Sequence, residues 1–188
     1  MKPTDLTDAL FEQEMEKFLS TVQFWATRLR LIDIDFQLRP SPTEAIEGHG
    51  PGPFPMAADI KLCWDYARGT GPKPYALRQI LRVMLEFCWA PIFGTSYSIP
   101  ESWWSTPLGY MTQVCWARAK LDNGSPLTTQ ELAYLTGVSE RKIRQLCKEG
   151  SLAAEPRQRN GRRLEWVVEP AAARQFVAEQ QAAEVAAG

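Results

Sequence analysis

The segment 127–168 constrains the fold most, because turn and cap signals divide it into short elements in a fixed order. Thr128 and Glu131 have the spacing of a capping box, which predicts that a helix begins there. Gly137 suits the left-handed conformation that ends a helix, and Ser139 can cap the next helix. The segment is therefore predicted to contain two short helices joined by a tight turn.

The second of these helices is predicted to be amphipathic and to end at Gly150. Its apolar face holds Ile143, Leu146 and Cys147. Its polar face holds Arg141, Arg144, Gln145 and Lys148. One face is expected to pack against a core, and the other is cationic.

A β-hairpin is predicted next, from residues 151–156 and 163–168, because Asn160-Gly161 between them is a strong hairpin signal. Its connecting residues, 157–162, carry several arginines. Pro170 is well placed to open a final helix. Upstream, Thr106 and Pro107 open a helical pattern that ends near residues 122–124, which predicts the first helix of the same small core.

Together these elements resemble the excisionase and MerR-type winged helix-turn-helix family. The resemblance lies in LTTQELA at 127–133, GVSERKIR at 137–144, EGSL at 149–152 and GRR at 161–163, and it covers roughly a third of the chain. In that family the second helix lies in the major groove of DNA and the wing grips the flanking backbone. The resemblance assigns these roles to residues 141–145 and 159–163. Metal or drug sensing is not implied, because the long coiled coil of MerR proteins is not expected here.

Charge is distributed as a DNA-binding surface requires. Residues 139–163 hold eight basic and three acidic side chains, a net charge of +5, whereas the remainder of the chain has a net charge of −6. The pI of about 5.9 averages over the whole chain and hides this local excess. The alternative interpretation is that these basic residues form only a solvated helix face.

The candidate DNA-binding residues fall into three groups. Side chains at the start of the second helix can reach base edges, and here they are Arg141, Arg144 and Gln145. Others are better placed to contact phosphates, and these are Lys142, Lys148, Arg157, Arg159, Arg162 and Arg163. The region of Thr129 is expected to offer backbone amides to a phosphate.

A separate helical module is predicted for residues 1–104. Residues 5–32 form a long amphipathic pattern, with apolar residues at Leu6, Leu10, Phe11, Met15, Phe18, Leu19, Val22, Trp25 and Leu29. Residues 60–67 and 75–89 are also predicted to be helical, residues 39–55 a loop, and residues 32–36 a short strand. Because an apolar stripe needs a partner, the first helix is the candidate interface of a homodimer or of another partner protein.

An aromatic segment, residues 87–117, joins the two parts and contains one charged residue, Glu101. Its aromatic residues are Phe87, Trp89, Phe93, Tyr97, Trp103, Trp104, Tyr110 and Trp116. A buried core is favoured here over a ligand pocket or an interface. Prolines and glycines interrupt the segment, which argues against a membrane span.

Several chemistries are not expected. The four cysteines are far apart and His49 is the single histidine, so no metal site, cofactor or catalytic residue is predicted, and the protein is not expected to be an enzyme. The cysteines are expected to be core residues in a reducing compartment. The N-terminal residues do not resemble a secretory signal, which favours a cytoplasmic location.

The sequence thus predicts a mainly α fold: a helical module at 1–104, a C-terminal winged helix-turn-helix with a small β-hairpin at 105–181, and a frayed tail at 182–188. The expected function is sequence-specific binding of double-stranded DNA by a dimeric transcriptional regulator. Two alternatives are a winged-helix adaptor that binds proteins, and an excisionase-like architectural factor of a mobile element.

Overall fold

The computed structural model describes residues 1–28, 55–89, 98–159 and 163–187. Within these residues the chain is mainly helical, with a small antiparallel sheet near its C-terminal end. The α-helices are α1 (Asp8–Arg28), α2 (Pro55–Arg68), α3 (Leu77–Trp89), α4 (Pro107–Asp122), α5 (Thr129–Thr136), α6 (Glu140–Lys148) and α7 (Pro170–Ala187). The strands are β1 (Leu127–Thr128), β2 (Ala154–Arg159) and β3 (Arg163–Val168), and short 3-10 helices cover Pro3–Asp5 and Glu101–Ser105.

The chain divides into two compact units. One unit is Leu6–Gly109, and the other combines Tyr110–Gly188 with Met1–Asp5. The sequence predicted a division between residues 104 and 105 and did not predict that the first five residues join the C-terminal part. Those residues pack against α5, which is a contact between positions far apart in the sequence.

In the Leu6–Gly109 unit, α2 packs against both α3 and α1. Phe11 meets Trp64 edge to face with ring centroids 5.4 Å apart, and both side chains are buried. The indole Nε1 of Trp64 donates a 2.9 Å hydrogen bond to the backbone carbonyl of Leu6, which satisfies its buried polar atom. At the surface, Arg68 forms an ion pair with Asp8 at 2.7 Å.

Part of the apolar stripe predicted for the first helix is buried inside this unit. Leu6, Phe11, Met15 and Phe18 are buried, and the Phe18 ring lies 5.7 Å from that of Phe87. These four side chains pack against the protein's own helices, whereas Leu10 and Leu19 are only half-buried. That the first helix contacts a partner therefore stays a prediction. A dimer contact through this unit would use side chains other than these four.

The C-terminal unit is centred on α5, which contacts β1, β3, α6, α7 and the 3-10 helix Pro3–Asp5. Its core contains side chains from α4, α5, α6, α7 and the sheet: Met111, Val114, Leu127, Leu132, Leu135, Ile143, Val168 and Ala173. Tyr110 of α4 donates a 2.8 Å hydrogen bond to the carbonyl of Tyr134. Arg174 of α7 donates to the carbonyl of Leu121 at 3.0 Å, so α4 is tied to both α5 and α7.

The sheet has the order β1-β3-β2 and is antiparallel throughout. The hairpin of β2 and β3 runs in register from Ala154 opposite Val168 to Arg159 opposite Arg163. The predicted hairpin is thus present, but β2 is shifted: residues 157–159 belong to the strand, where the sequence placed them in the connection, and residues 151–153 do not. β1 was not predicted, because two residues are too few to show an alternating pattern.

The C-terminal tail also differs from expectation. Residues 182–188 were predicted to fray, whereas α7 continues to Ala187. Alanine has the highest intrinsic helix propensity, so an alanine-rich end can remain helical without burying apolar surface.

Several predictions fall on residues outside the described ranges. These are the strand at 32–36, the loop containing His49, the end of the first helix beyond Arg28, Phe93, Tyr97 and the hairpin tip at residues 160–162. Elsewhere in the aromatic segment, Trp103 and Tyr110 are buried, in agreement with a core, while Trp116 is partly exposed. In the described part of the chain, every helix is too short or too polar to cross a lipid bilayer.

Candidate nucleic-acid interface

Helix α5 begins with a complete capping box, which fixes the start of the helical pair. The Thr128 hydroxyl accepts a hydrogen bond from the Glu131 amide at 3.1 Å, and the Glu131 carboxylate accepts one from the Thr128 amide at 2.9 Å. Lys120 of α4 forms an ion pair with the same carboxylate. Both predictions at this position, the helix start and its capping partners, are confirmed.

The turn between α5 and α6 is formed by residues 137–139. Gly137 has a φ of +67° and its amide donates to the carbonyl of Ala133 at 2.8 Å, so it ends α5 as predicted. Ser139 caps α6 by accepting a hydrogen bond from the Lys142 amide at 3.4 Å. A turn this short requires α6 to leave α5 at a steep angle.

Helix α6 separates apolar and charged side chains as the sequence predicted. Ile143 and Cys147 are buried, Leu146 is half-buried, and the helix packs on α5 and β3. All five candidate polar residues of this helix are exposed: Arg141, Lys142, Arg144, Gln145 and Lys148. We call these five residues the cationic face of α6. It can be reached by a large polyanion without any rearrangement of the core.

The cationic face is only partly neutralised. Arg144 forms an ion pair with Glu140 at 2.6 Å, and Gln145 donates to Glu149 at 2.7 Å. Among the residues that the structure describes, no carboxylate forms an ion pair with Arg141, Lys142 or Lys148. These three positive charges are therefore available to a ligand.

Thr129 does not belong to the accessible surface. The residue is only 1 % exposed, so neither its hydroxyl nor its backbone amide can be reached by a phosphate group. Its hydroxyl donates a 3.0 Å hydrogen bond to the carboxylate of Glu140. A phosphate contact by Thr129 itself is therefore contradicted, because the capping-box pattern marks a helix start without showing which side of it is buried; that the wider start of α5 offers amides stays a prediction.

The hairpin contributes an arginine in a different electrostatic setting. Strand alternation places Arg157 on the face opposite the buried Val168. There it lies 3.8 Å from Glu155 and lines a shallow groove with Glu169, so its charge is partly balanced. Only the backbone of Arg159 and Arg163 is described, at the end of the ladder, and Arg162 lies outside the described residues.

Glu140 is the residue that sequence reasoning missed. One of its carboxylate oxygens, Oε1, accepts hydrogen bonds from both the Thr129 hydroxyl and the Arg144 guanidinium. The spacing of Glu140 and Arg144, four residues apart on a helix, was a visible signal for such a pair. The contact with Thr129 depends on the angle between α5 and α6 and had no signal in the sequence.

Titratable groups near α6 behave as buried or partly buried side chains. Burial raises the pKa of the Cys147 thiol, which keeps it protonated near neutral pH. Burial also raises the pKa of Tyr134, with smaller contributions from the nearby Glu140 and Glu131 carboxylates. In the part of the chain that the structure describes, histidine, cysteine and acidic side chains form no cluster that could hold a metal ion.

No protein-family model, curated protein or solved structure matches this chain significantly.

Proposed function

We propose that the C-terminal unit is a winged helix-turn-helix of the excisionase and MerR type that binds double-stranded DNA. One observation carries this proposal: the five polar side chains of α6 are all exposed, while the opposite face of the same helix is buried in the core. The tight turn before α6 and the hairpin after it support the proposal, since this order of elements presents a helix to the major groove.

In this proposal, Arg141, Arg144 and Gln145 contact base edges, because arginine pairs with guanine and glutamine with adenine in the major groove. Lys142 and Lys148 contact phosphates and contribute affinity that depends on salt concentration. The hairpin adds phosphate contacts near its tip, where residues 159–163 concentrate arginines. Arg157 contributes less than these, because Glu155 and Glu169 share its surroundings.

We further propose that the chain is a cytoplasmic transcriptional regulator that acts as a homodimer through the Leu6–Gly109 unit. A single short recognition helix reads few base pairs, and two copies spaced by one DNA turn, about 34 Å, double the sequence that is read. Leu62 and Phe87 are large apolar side chains that remain exposed on this unit, and they are the candidate contact residues.

Measurement of DNA binding as a function of salt tests the DNA part of this proposal. Fluorescence anisotropy of a labelled random-sequence duplex is expected to show binding by the whole chain that weakens steeply as salt is raised. Binding that is absent at low salt would overturn the proposal and favour a protein-binding adaptor.

Sedimentation of the whole chain tests the dimer part. The wild-type chain is expected to be dimeric at micromolar concentration, and Leu62→Glu is expected to be monomeric. Leu164→Glu is the matched control, since Leu164 is also exposed but lies in the hairpin of the other unit. A wild-type chain that stays monomeric both alone and on DNA would remove the dimer from the proposal.

A further inference from the structure

Glu140 places a negative charge on the first residue of α6, beside the side chains that are proposed to read DNA. A carboxylate in the first turn interacts favourably with the positive end of the α6 dipole, but it repels the phosphate backbone of DNA. The dipole would favour any acidic residue in this turn, whereas the two hydrogen bonds of Glu140 indicate a more specific role.

A buried hydroxyl group holds the Glu140 carboxylate in place. Thr129, at the start of α5, is 1 % exposed, and its hydroxyl donates a 3.0 Å hydrogen bond to Oε1 of Glu140. The same oxygen accepts a 2.6 Å hydrogen bond from Nη2 of Arg144. A chain of two hydrogen bonds thus links the rigid interior to a guanidinium group at the surface.

Exposed ion pairs alone hold a side chain only weakly, because both partners can move away and salt screens their attraction. Here one partner is anchored in the core, so the carboxylate has a fixed position and the guanidinium is attracted to that position. Arginine otherwise retains considerable conformational freedom, which is lost when it binds a base in a bidentate geometry. A guanidinium that is ordered before binding loses less of that freedom.

We propose that Glu140 is a positioning residue, which orders the Arg144 side chain for its contact with a base. This inference rests on the proposed function. Glu140 therefore lowers the affinity for DNA of any sequence and increases the preference for the recognised sequence. Thr129 supports this role by donating a hydrogen bond to the Glu140 carboxylate, although Thr129 itself is too deeply buried to touch DNA.

The test compares binding to the best sequence selected by the wild-type chain with binding to random duplex. Glu140→Ala is expected to weaken binding to the selected sequence by roughly three- to tenfold, the cost of ordering one flexible side chain. The same variant is expected to bind random duplex more tightly than wild type, since it removes a negative charge. The two effects have opposite signs, which an overall loss of folding cannot produce.

Glu140→Gln separates position from charge. The amide oxygen can still accept from Thr129 and Arg144, so this variant is expected to keep most of the specificity that Glu140→Ala loses. Its affinity for random duplex is expected to rise as in Glu140→Ala. In an Arg144→Ala background, Glu140→Ala is expected to change the specificity ratio no further, which is the signature of two residues acting through one contact.

Thr129→Val removes the buried hydroxyl and is expected to lower the specificity ratio, whereas Thr129→Ser retains the hydroxyl and is expected to preserve it. If Glu140→Ala and Glu140→Gln raise binding to both duplexes by the same factor, the positioning role is overturned while DNA binding stands. If the wild-type chain binds no duplex at low salt, the proposed function fails, and this inference fails with it.

Discussion

The side chain of Lys2 lies directly against Gly137, although 134 residues separate them in the sequence. A Cβ atom at Gly137 would collide with Cγ of Lys2. The N-terminal residues therefore pack on the turn that sets the direction of α6. This contact explains why Met1–Asp5 belongs to the C-terminal unit.

Gly137→Ala is expected to destabilise the C-terminal unit by about 1–3 kcal/mol, measured by chemical denaturation. Alanine at a φ of +67° is strained by about 1–2 kcal/mol, and the collision with Lys2 adds to that cost. Gly150→Ala is the matched control, because Gly150 has a similar φ of +74° but open space around its Cα. Equal losses in the two variants would show that Lys2 does not confine this turn.

Arg144→Ala is expected to lower affinity for the selected DNA sequence by about tenfold or more, because a good arginine–guanine pair contributes roughly 1–3 kcal/mol of discrimination. Lys148→Ala, from the same helix face, is expected to weaken binding to all sequences alike and to reduce the salt slope by about one. Titrations of both variants at several salt concentrations distinguish the two roles. A uniform loss for Arg144→Ala would assign that residue to phosphate.

Tyr110→Phe is expected to destabilise the fold by about 0.5–1.5 kcal/mol, since it removes the hydroxyl that donates to the carbonyl of Tyr134 at 2.8 Å. Tyr134→Phe is the control, because it removes a tyrosine hydroxyl from the same pair of rings. In the described part of the chain the Tyr134 hydroxyl accepts one hydrogen bond, from Gln130 at the surface, so its removal is expected to cost less than about 0.5 kcal/mol. The thermal midpoints of the two variants are expected to differ accordingly, and a larger loss for Tyr134→Phe would contradict the assigned contacts.

Cys88 is expected to react slowly with iodoacetamide at pH 8. Burial raises the pKa of its thiol from 9.0 to about 11, and only the thiolate is nucleophilic. A rise of this size lowers the thiolate fraction at pH 8 by roughly a hundredfold relative to an ordinary thiol. Mass spectrometry of the intact and the denatured chain measures the difference, and equal rates would contradict the burial of this side chain.

The sequence predicted the local structure of the C-terminal unit well because its signals are short-range. The capping box at Thr128, the left-handed glycine at Gly137, the cap at Ser139 and the two faces of α6 each depend on residues within a few positions of one another. Such patterns act through backbone geometry that neighbouring residues determine. The hairpin was found for the same reason, although β2 lies at Ala154–Arg159, three residues later in the chain than the predicted 151–156.

Features that depend on contacts between distant residues could not be predicted. The burial of Thr129 follows from how α5 packs against its surroundings, and the burial of the α1 stripe follows from the position of Trp64 on another helix. The first finding removes Thr129 from the candidate phosphate contacts, and the second narrows the side chains through which the first helix can contact a partner. The role of Glu140 required the packing of two helices as well as the sequence spacing.

Selection of binding sites from a random-sequence duplex library, at low and high salt, tests the central claim of DNA recognition most directly. The whole chain is expected to enrich an inverted repeat with half-sites about one DNA turn apart, and its affinity is expected to fall as salt rises. Enrichment of a single half-site would retain DNA recognition and remove the dimer. No binding at low salt would contradict the claim, and salt-sensitive binding without any enriched sequence would replace a sequence-specific regulator with an architectural factor.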